Sequence, residues 1–439
     1  MKKAGEGRFV KIPGGAKKIC GLPGGWLRLR LVALALLALI PASAGASGTL
    51  TTRGIGMGTA QVAVARGLDA VGVNPANLGM PGGGSFGFRI FDVGMIVHNS
   101  TVSLGFYNRY NGDSLDSGEK NDILDRIPDD GLRLDGQGDF QFVGLRIGGF
   151  ALSLSASASL AAALPKDLFR IVLQGIDFGK TYDFSPKGSG VAYAKLGLSY
   201  GRSVPLRYFD EFAVGATVNY VGGIGYAEIT RSTGRVRIDY QSEVQSELVA
   251  RSGYGGSGFS LDAGVAGRTG NIRFGAAFLS LISSIRWQQQ TQEAVLKFVG
   301  DSVNVYSIAD LGPDKLFDKE DSTYDIGAFS SSLPVELVLG VSTTWRGFLL
   351  AADYHQSFSN RFGNSTTPEL AFGLERQFIP FLPLRAGFAL GGGRGFRPSF
   401  GFGLHLAAFK WDFALGGVGG FFPPQQRGVY LGTSMRVAF

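Results

Sequence analysis

The chain has a single cysteine in 439 residues, Cys20, and it precedes the longest apolar run instead of following it as a lipoprotein cysteine would. A disulfide framework and a thiolate metal site are thereby excluded downstream, and a lipid anchor is not expected. Histidine is nearly as scarce. His98, His355 and His405 are scattered without metal-ligand spacing, so no metal site and no cofactor is expected. No segment offers about 18 unbroken apolar residues, which leaves no candidate for a membrane-crossing helix. Net charge is missing too, once position is considered. Eight of the 42 Lys/Arg and one of the 35 acids fall within residues 1–30, leaving 34 of each sign in the remainder. A formally neutral chain offers no basic surface for nucleic acid, despite a total of +7.

What is present starts with a leader. Arg28 and Arg30 precede the apolar run Leu31–Ile40, and Ala42-Ser43-Ala44 supplies a small-x-small cleavage pattern. Residues 1–44 therefore read as a signal peptide for export. Glycine (68) and phenylalanine (34) are abundant, yet the glycines sit inside regular alternation, which low-complexity disorder does not show.

From residue 85 the dominant period is two. Leu152, Leu154, Ala156, Ala158 and Leu160 alternate with serines, and Phe400, Phe402, Leu404 and Leu406 alternate with Ser399, Gly401, Gly403 and His405. Successive strand side chains point to opposite faces, so each segment has one oily face and one small or polar face. Strands are expected near 85–108, 137–148, 150–163, 189–204, 208–223, 256–268, 271–286, 333–346, 348–358, 366–377, 383–392, 397–409, 410–420 and 427–439. That is about fourteen, most of the roughly ten-residue length a tilted membrane strand needs. Short links at 148–149, 205–207, 269–270, 346–347, 379–380 and 409–410 alternate with long or variable ones at 109–136, 164–188, 224–255, 287–332, 359–365, 391–396 and 421–426. Tyr208, Phe209, Trp345, Phe348, Phe378, Phe381, Phe409 and Trp411 gather at the short-link level, as an interfacial aromatic belt would. The expected fold is all-β: a transmembrane antiparallel β-barrel in the cell outer membrane, in contact with its lipid. The alternative is a soluble all-β sandwich with aromatics in its core.

The faces opposite the oily ones would line a lumen. They carry Lys195, Glu336, Asp353, His355, Glu369, Glu375, Arg385, His405, Asp412 and Arg436. Charges of both signs inside a barrel must pair or be wetted. They fit either a structural set of paired charges or a polar route, and His355 with His405 form a weak candidate pair. A fourteen-strand lumen exceeds what wall side chains fill, so something must occupy it. Residues 45–84 lack strand-length alternation and are rich in small residues, so they are expected to form a plug, or hatch, ahead of the barrel at 85–439. Within it Asn74 suits an N-cap, Pro75 the first helical position, and Gly79 the end of a short turn.

The segment GMGTAQVAVARGLDAVGVNPANLG resembles the N-terminal signature of the FadL-like superfamily, which covers long-chain fatty-acid and aromatic-hydrocarbon channels and PorV-type secretion accessory barrels. The match falls on Asn74, Pro75 and Ala76, which the resemblance places in an N-terminal hatch. Further stretches (SGEKNDILDRIPDDGLRLDGQGDFQF, LPKDLFRIVLQG, LPLRAGFALG and KWDFALG) are similar to a family of uncharacterised outer-membrane barrels related to that superfamily. Where the superfamily commonly has two acids before Asn-Pro-Ala, this chain reads Arg66-Gly67-Leu68-Asp69-Ala70, and the fatty-acid ligand residues do not carry over. The resemblance implies a channel for passive uptake of small hydrophobic molecules, or else an accessory barrel that docks secreted or surface proteins. The terminal Phe439, on a strand with Leu431, Met435 and Val437 on one face, is similar to the signal read by the barrel assembly machinery.

Around Ile123, Leu124 and Ile127, and again at Leu168, Ile171, Val172 and Ile176, apolar residues recur at helical spacing. Both segments are expected on the side of the long links, either folded inward at the mouth or lying on the surface. The acids Asp113, Asp116, Glu119, Asp122, Asp125, Asp129 and Asp130 form a divalent-ion candidate or a solvated loop, without EF-hand spacing. Gly83-Gly84-Ser85-Phe86-Gly87 fits G-x-S-x-G and Gly253–Gly258 fits G-x-G-x-x-G, but neither has the strand–turn–helix setting its chemistry requires. No enzyme is expected.

Overall fold

The computed structural model describes residues 49–112, 114–237, 239, 242–303 and 318–439. The leader at 1–44, the first residues of the expected plug, Asp113 and residues 304–317 of one long link lie outside the described residues.

Alternation becomes wall wherever one face can be oily. The wall strands are β1 (Phe86–Asn99), β2 (Leu132–Ile147), β3 (Phe150–Leu164), β4 (Lys187–Ser203), β5 (Glu211–Arg237), β6 (Ser242–Thr269) and β7 (Ile272–Val303). They continue with β8 (Glu336–Trp345), β9 (Phe348–Ser357), β10 (Glu369–Ile379), β11 (Leu382–Gly391), β12 (Arg397–Leu406), β13 (Phe409–Val418) and β14 (Gly428–Ala438). Each pairs antiparallel with the next, and β1 pairs β14 from Gly87↔Ala438 to His98↔Gly428, which closes a barrel of fourteen strands. Three short strands, Thr181–Asp183, Asp318–Asp325 and Phe329–Ser331, attach to β5 and β7 outside that circuit. Closure leaves no free edge, as a hydrocarbon setting demands. Phe439 completes the seam: its carbonyl accepts from Ser85 N at 3.0 Å and its N–H donates to the Phe86 carbonyl at 3.1 Å.

The outward face is apolar. Phe150, Leu152 and Leu154 of β3, Leu196 and Leu198 of β4, and Phe400 and Phe402 of β12 are exposed, while Ala151, Ser153, Gly197 and Gly401 between them are buried. So large and continuous an exposed apolar band marks a membrane or partner surface. At the short-link end Phe150 meets Tyr200 at 4.4 Å, Phe209 meets Phe274 at 5.2 Å, and Arg376 lies over the Phe348 and Phe378 rings.

Several boundaries differ from the sequence reading, each for a local reason. The first strand stops at Asn99 because Ser103 caps a helix, α2 (Leu104–Tyr110), and accepts from Phe106 N at 3.1 Å. The turn expected at 409–410 lies at Ala407-Ala408, since Leu406↔Phe409 is the last rung. The links at 224–255 and 287–332 are largely strand: β5, β6 and β7 run 27, 28 and 32 residues. A membrane crossing needs only about 9–11. Beyond that height both faces meet water, so pairing persists while apolar alternation fades. The two helical expectations correspond to α3 (Ser117–Arg126) and α4 (Lys166–Gln174), which meet through a Gln174–Asn121 hydrogen bond at 2.5 Å. Four acids of that loop are engaged locally. Asp116 and Glu119 form a capping box, Asp122 accepts from Tyr110 and Arg126, and Asp129 pairs with Lys166.

Candidate functional site in the barrel interior

Residues Leu50 to Met80 are almost entirely buried and lie against the inner face of the wall. Their local structure follows from capping. Thr51 accepts from Gly54 N at 3.0 Å and starts α1 (Thr52–Gly56). Asn74 accepts from Ala76 N at 3.1 Å and opens the 3-10 turn Pro75–Gly79, with Pro75 where no N–H is missed. Asn74 also donates to the Val265 carbonyl of β6 at 3.0 Å, and Pro75 and Ala76 sit against β5.

Wall glycines make this close approach possible. A Cβ at Gly215 would stand 2.5 Å from Ala76 N, one at Gly373 2.6 Å from the Met57 carbonyl, and one at Gly275 2.9 Å from the Val62 carbonyl. These glycines recur in register, Gly201↔Gly215↔Gly264 on one side and Gly373↔Gly387 on another. The glycine content of the strands is thus a belt of bare backbone that the interior segment lies upon.

Wall carboxylates then capture the segment's backbone. Asp92 accepts from Thr52 N at 3.0 Å and its hydroxyl at 2.7 Å, and Asp139 from Leu50 N at 3.0 Å. Asp353 accepts from Gln61 N at 2.6 Å and Val62 N at 2.8 Å, and Glu369 from the Thr59 hydroxyl at 3.0 Å. A chain of alternating charge joins segment to wall: Arg53–Glu375 (3.0 Å), Glu375–Arg385 (2.6 Å), Arg385–Asp412 (2.7 Å), Asp412–Arg436 (3.3 Å), Arg436–Asp69 (3.1 Å) and Asp69–Arg89 (2.9 Å). Each buried charge faces an opposite one, the condition under which such groups are tolerated.

The ten residues expected to line a lumen therefore divide by location. Glu375, Arg385, Asp412 and Arg436 belong to the charge chain, and His405 joins it through Asp412 at 3.0 Å. Glu336 bonds His355 at 3.2 Å beside Asp353, and Glu369 pairs with Arg397. The two histidines each engage their own carboxylate and are not brought together. Lys195 stands apart, in a cavity.

Arg89, Asp92 and Asp139 escape a reading of the sequence. A bulge between Arg89 and Phe91 resets the parity of β1, so Arg89 and Asp92, three apart, both point inward. A second bulge, between Gln141 and Val143, does the same in β2. Strict period-two reading cannot place such pairs on one face.

The cavity, of about 110 Å³, lies between Val71 and Gly72 of the segment and strands β2 to β8. Ser153, Ser155, Ser157 and Ser159 present four hydroxyl positions along β3, opposite Thr217 and Asn219 of β5 and Asp262 of β6. Toward the long links the lining turns apolar with Val191, Tyr193, Leu333 and Phe362. These belong to a buried cluster with Tyr226 and Trp287, in which the Tyr226 ring lies 5.5 Å from Trp287 and 5.9 Å from Phe362. Phe362 comes from the 359–365 link. Arg361 reaches from there to Glu228 (2.9 Å) and the Tyr226 hydroxyl (2.8 Å) on β5, so this link crosses the mouth as a lid. Helical spacing around Ile123, Leu124 and Ile127, and at Leu168, Ile171, Val172 and Ile176, made those segments candidates for an inward fold; the link that enters is 359–365, on the same side of the barrel.

Residues 81–254 match the sequence model of a family of unknown function, DUF5723. Among curated proteins nothing matches the chain. Three solved structures are similar over most of their length. The toluene transporter TbuX of Ralstonia pickettii is 15% identical over 89% of this chain and 98% of that one, with a TM-score of 0.50. The toluene transporter TodX of P. putida is 11% identical over 89% and 99%, with a TM-score of 0.49. A Pseudomonas aeruginosa FadL homologue is 12% identical over 91% and 100%, with a TM-score of 0.48. At these identities the likeness to TbuX shows a shared fold alone: the fourteen-stranded antiparallel barrel expected from the sequence.

Proposed function

We propose that this protein is an outer-membrane channel for passive, uncatalysed uptake of small, largely hydrophobic molecules. Residues 45–84 act as the hatch, and Asn74, Pro75 and Ala76 fix it against β5 and β6. The observation that carries the reading is a closed wall, oily outside, whose interior is filled by one continuous N-terminal segment beneath an aromatic vestibule. The aromatic vestibule supports a hydrophobic solute, and the fold shared with a toluene transporter is in keeping with it. The leader at 1–44, the barrel beginning at 85 and the terminal Phe439 fit export and insertion by the assembly machinery. The experiment is uptake of labelled toluene into liposomes carrying the purified protein. Uptake faster than into empty liposomes supports the reading, and equal rates overturn it.

A second reading has its own support. Strands β5 to β7 stand well above the height a membrane needs and present a paired sheet outside it. An accessory barrel would dock a secreted or surface protein there. Purification from native membranes separates the two: a stoichiometric protein partner favours docking.

A further inference from the structure

The cavity beside Lys195 presents polar groups that bond no described residue of the interior segment. The Lys195 side chain enters it deep inside the barrel, and it makes no hydrogen bond or ion pair with any described residue. Its ammonium instead stands 5.2 Å from the Tyr193 ring centre. The Ser155 and Ser159 hydroxyls of β3 line the same space without a hydrogen bond to a described residue. Their neighbours are already engaged. Ser157 donates to Asp139 at 2.6 Å, Thr217 donates to Ser199 at 2.8 Å, and Asn219 donates to Asp262 at 3.1 Å. Three open donors thus converge on a space many times the roughly 10–15 Å³ one water needs. A wall of aromatic and aliphatic side chains bounds its other end.

From this we infer that the cavity is a binding site for a small uncharged molecule with an aromatic or alicyclic body and one or more hydroxyl groups. The inference rests on the channel reading and narrows its solute class. Body and hydroxyls each have a counterpart: the ring packs on Tyr193 and Phe362, and the hydroxyls bond Lys195, Ser155 and Ser159. A bare hydrocarbon would strip water from those three groups and return nothing, which costs affinity. An anion is disfavoured by charge. Asp139, Asp262 and Glu336 line the cavity with Lys195, so the formal sum of these four is already two negative, and a carboxylate would add another.

Equilibrium dialysis of the intact protein in lipid nanodiscs tests this, with benzyl alcohol, toluene and benzoate as probes and empty nanodiscs as the partition control. Benzyl alcohol is expected to bind about ten-fold more tightly than toluene, the worth of roughly one net hydrogen bond. The Ser155→Ala/Ser159→Ala variant should remove most of that margin and leave toluene binding unchanged. Lys195→Met should weaken benzyl alcohol binding as well. Toluene binding as tightly as benzyl alcohol overturns the inference, and so does a preference for benzoate that Lys195→Met abolishes. Failure of the channel reading is separable. If liposomes take up no probe while the alcohol preference persists in nanodiscs, transport fails and the site stands.

Discussion

The smallest decisive unit is a wall glycine. Gly215 has no side chain because the Ala76 amide occupies that place, so Gly215→Ala forces Cβ into the backbone of the interior segment. Overpacking of this kind costs about 1–3 kcal/mol, and the interior segment can yield more easily than the closed wall. The expected outcome is a folded barrel with a loosened interior, seen as greater channel conductance at unchanged strand content by circular dichroism. A second residue-scale prediction concerns Arg385, which lies between Glu375 and Asp412. Arg385→Ala removes the cation between Glu375 and Asp412, which then keep only Arg53 and Arg436, and should destabilise by about 1–3 kcal/mol. The heat-modifiable gel shift would then occur at lower temperature, whereas an unchanged shift would mean that the charge chain does not hold the wall.

Legibility at this scale depended on parity. Lys195, Asp353 and Asp412 could be placed on the inner side because their strands alternate without interruption, whereas Arg89 and Asp92 straddle a bulge. No residue in the sequence announces that it resets the count. The partners across the lumen, such as Arg53 with Glu375, are more than 300 residues apart, and no local pattern couples them.

Among elements, the wall strands were legible because lipid on one side and interior on the other impose a period of two. The upper halves of β5 to β7 were not, because water on both sides imposes no period. The lid at 359–365 was equally hidden. Its inward turn depends on Phe362 finding Tyr226 and on Arg361 finding Glu228, contacts that no short-range signal encodes. Phe362→Ala should open the vestibule and raise the rate of toluene uptake by liposomes; a rate equal to the parent would remove the lid from the account. In the outer loop, the hydrogen bond from Tyr110 holds the Asp122 carboxyl below its ordinary range. A lowered folded pKa means that this contact contributes stability above the usual carboxylate range and loses it as pH falls through the folded value. The α2–α3 contact, followed by tyrosine fluorescence, should therefore be intact at neutral pH and release only in acid. Release near neutrality would contradict it.

For the molecule as a whole, the barrel and its interior segment are one design. A wall with bare backbone on its inner face has a use only if another backbone lies there, and the wall carboxylates accept from the N–H groups of that second segment. Strand count and the alternation of short and long links were plain from the sequence, since both follow from lipid contact. Residues 45–84 stood apart in the sequence by composition, small and without alternation, but the contacts that Leu50–Met80 make with the wall could not be read there. The measurement that bears most directly on the account compares liposome swelling for the intact protein and for one lacking residues 50–80. The account predicts that the deletion turns a barrier to sugar-sized polar solutes into an open pore. Equal, low permeability from a correctly folded deletion variant would mean that the segment is not what closes the barrel.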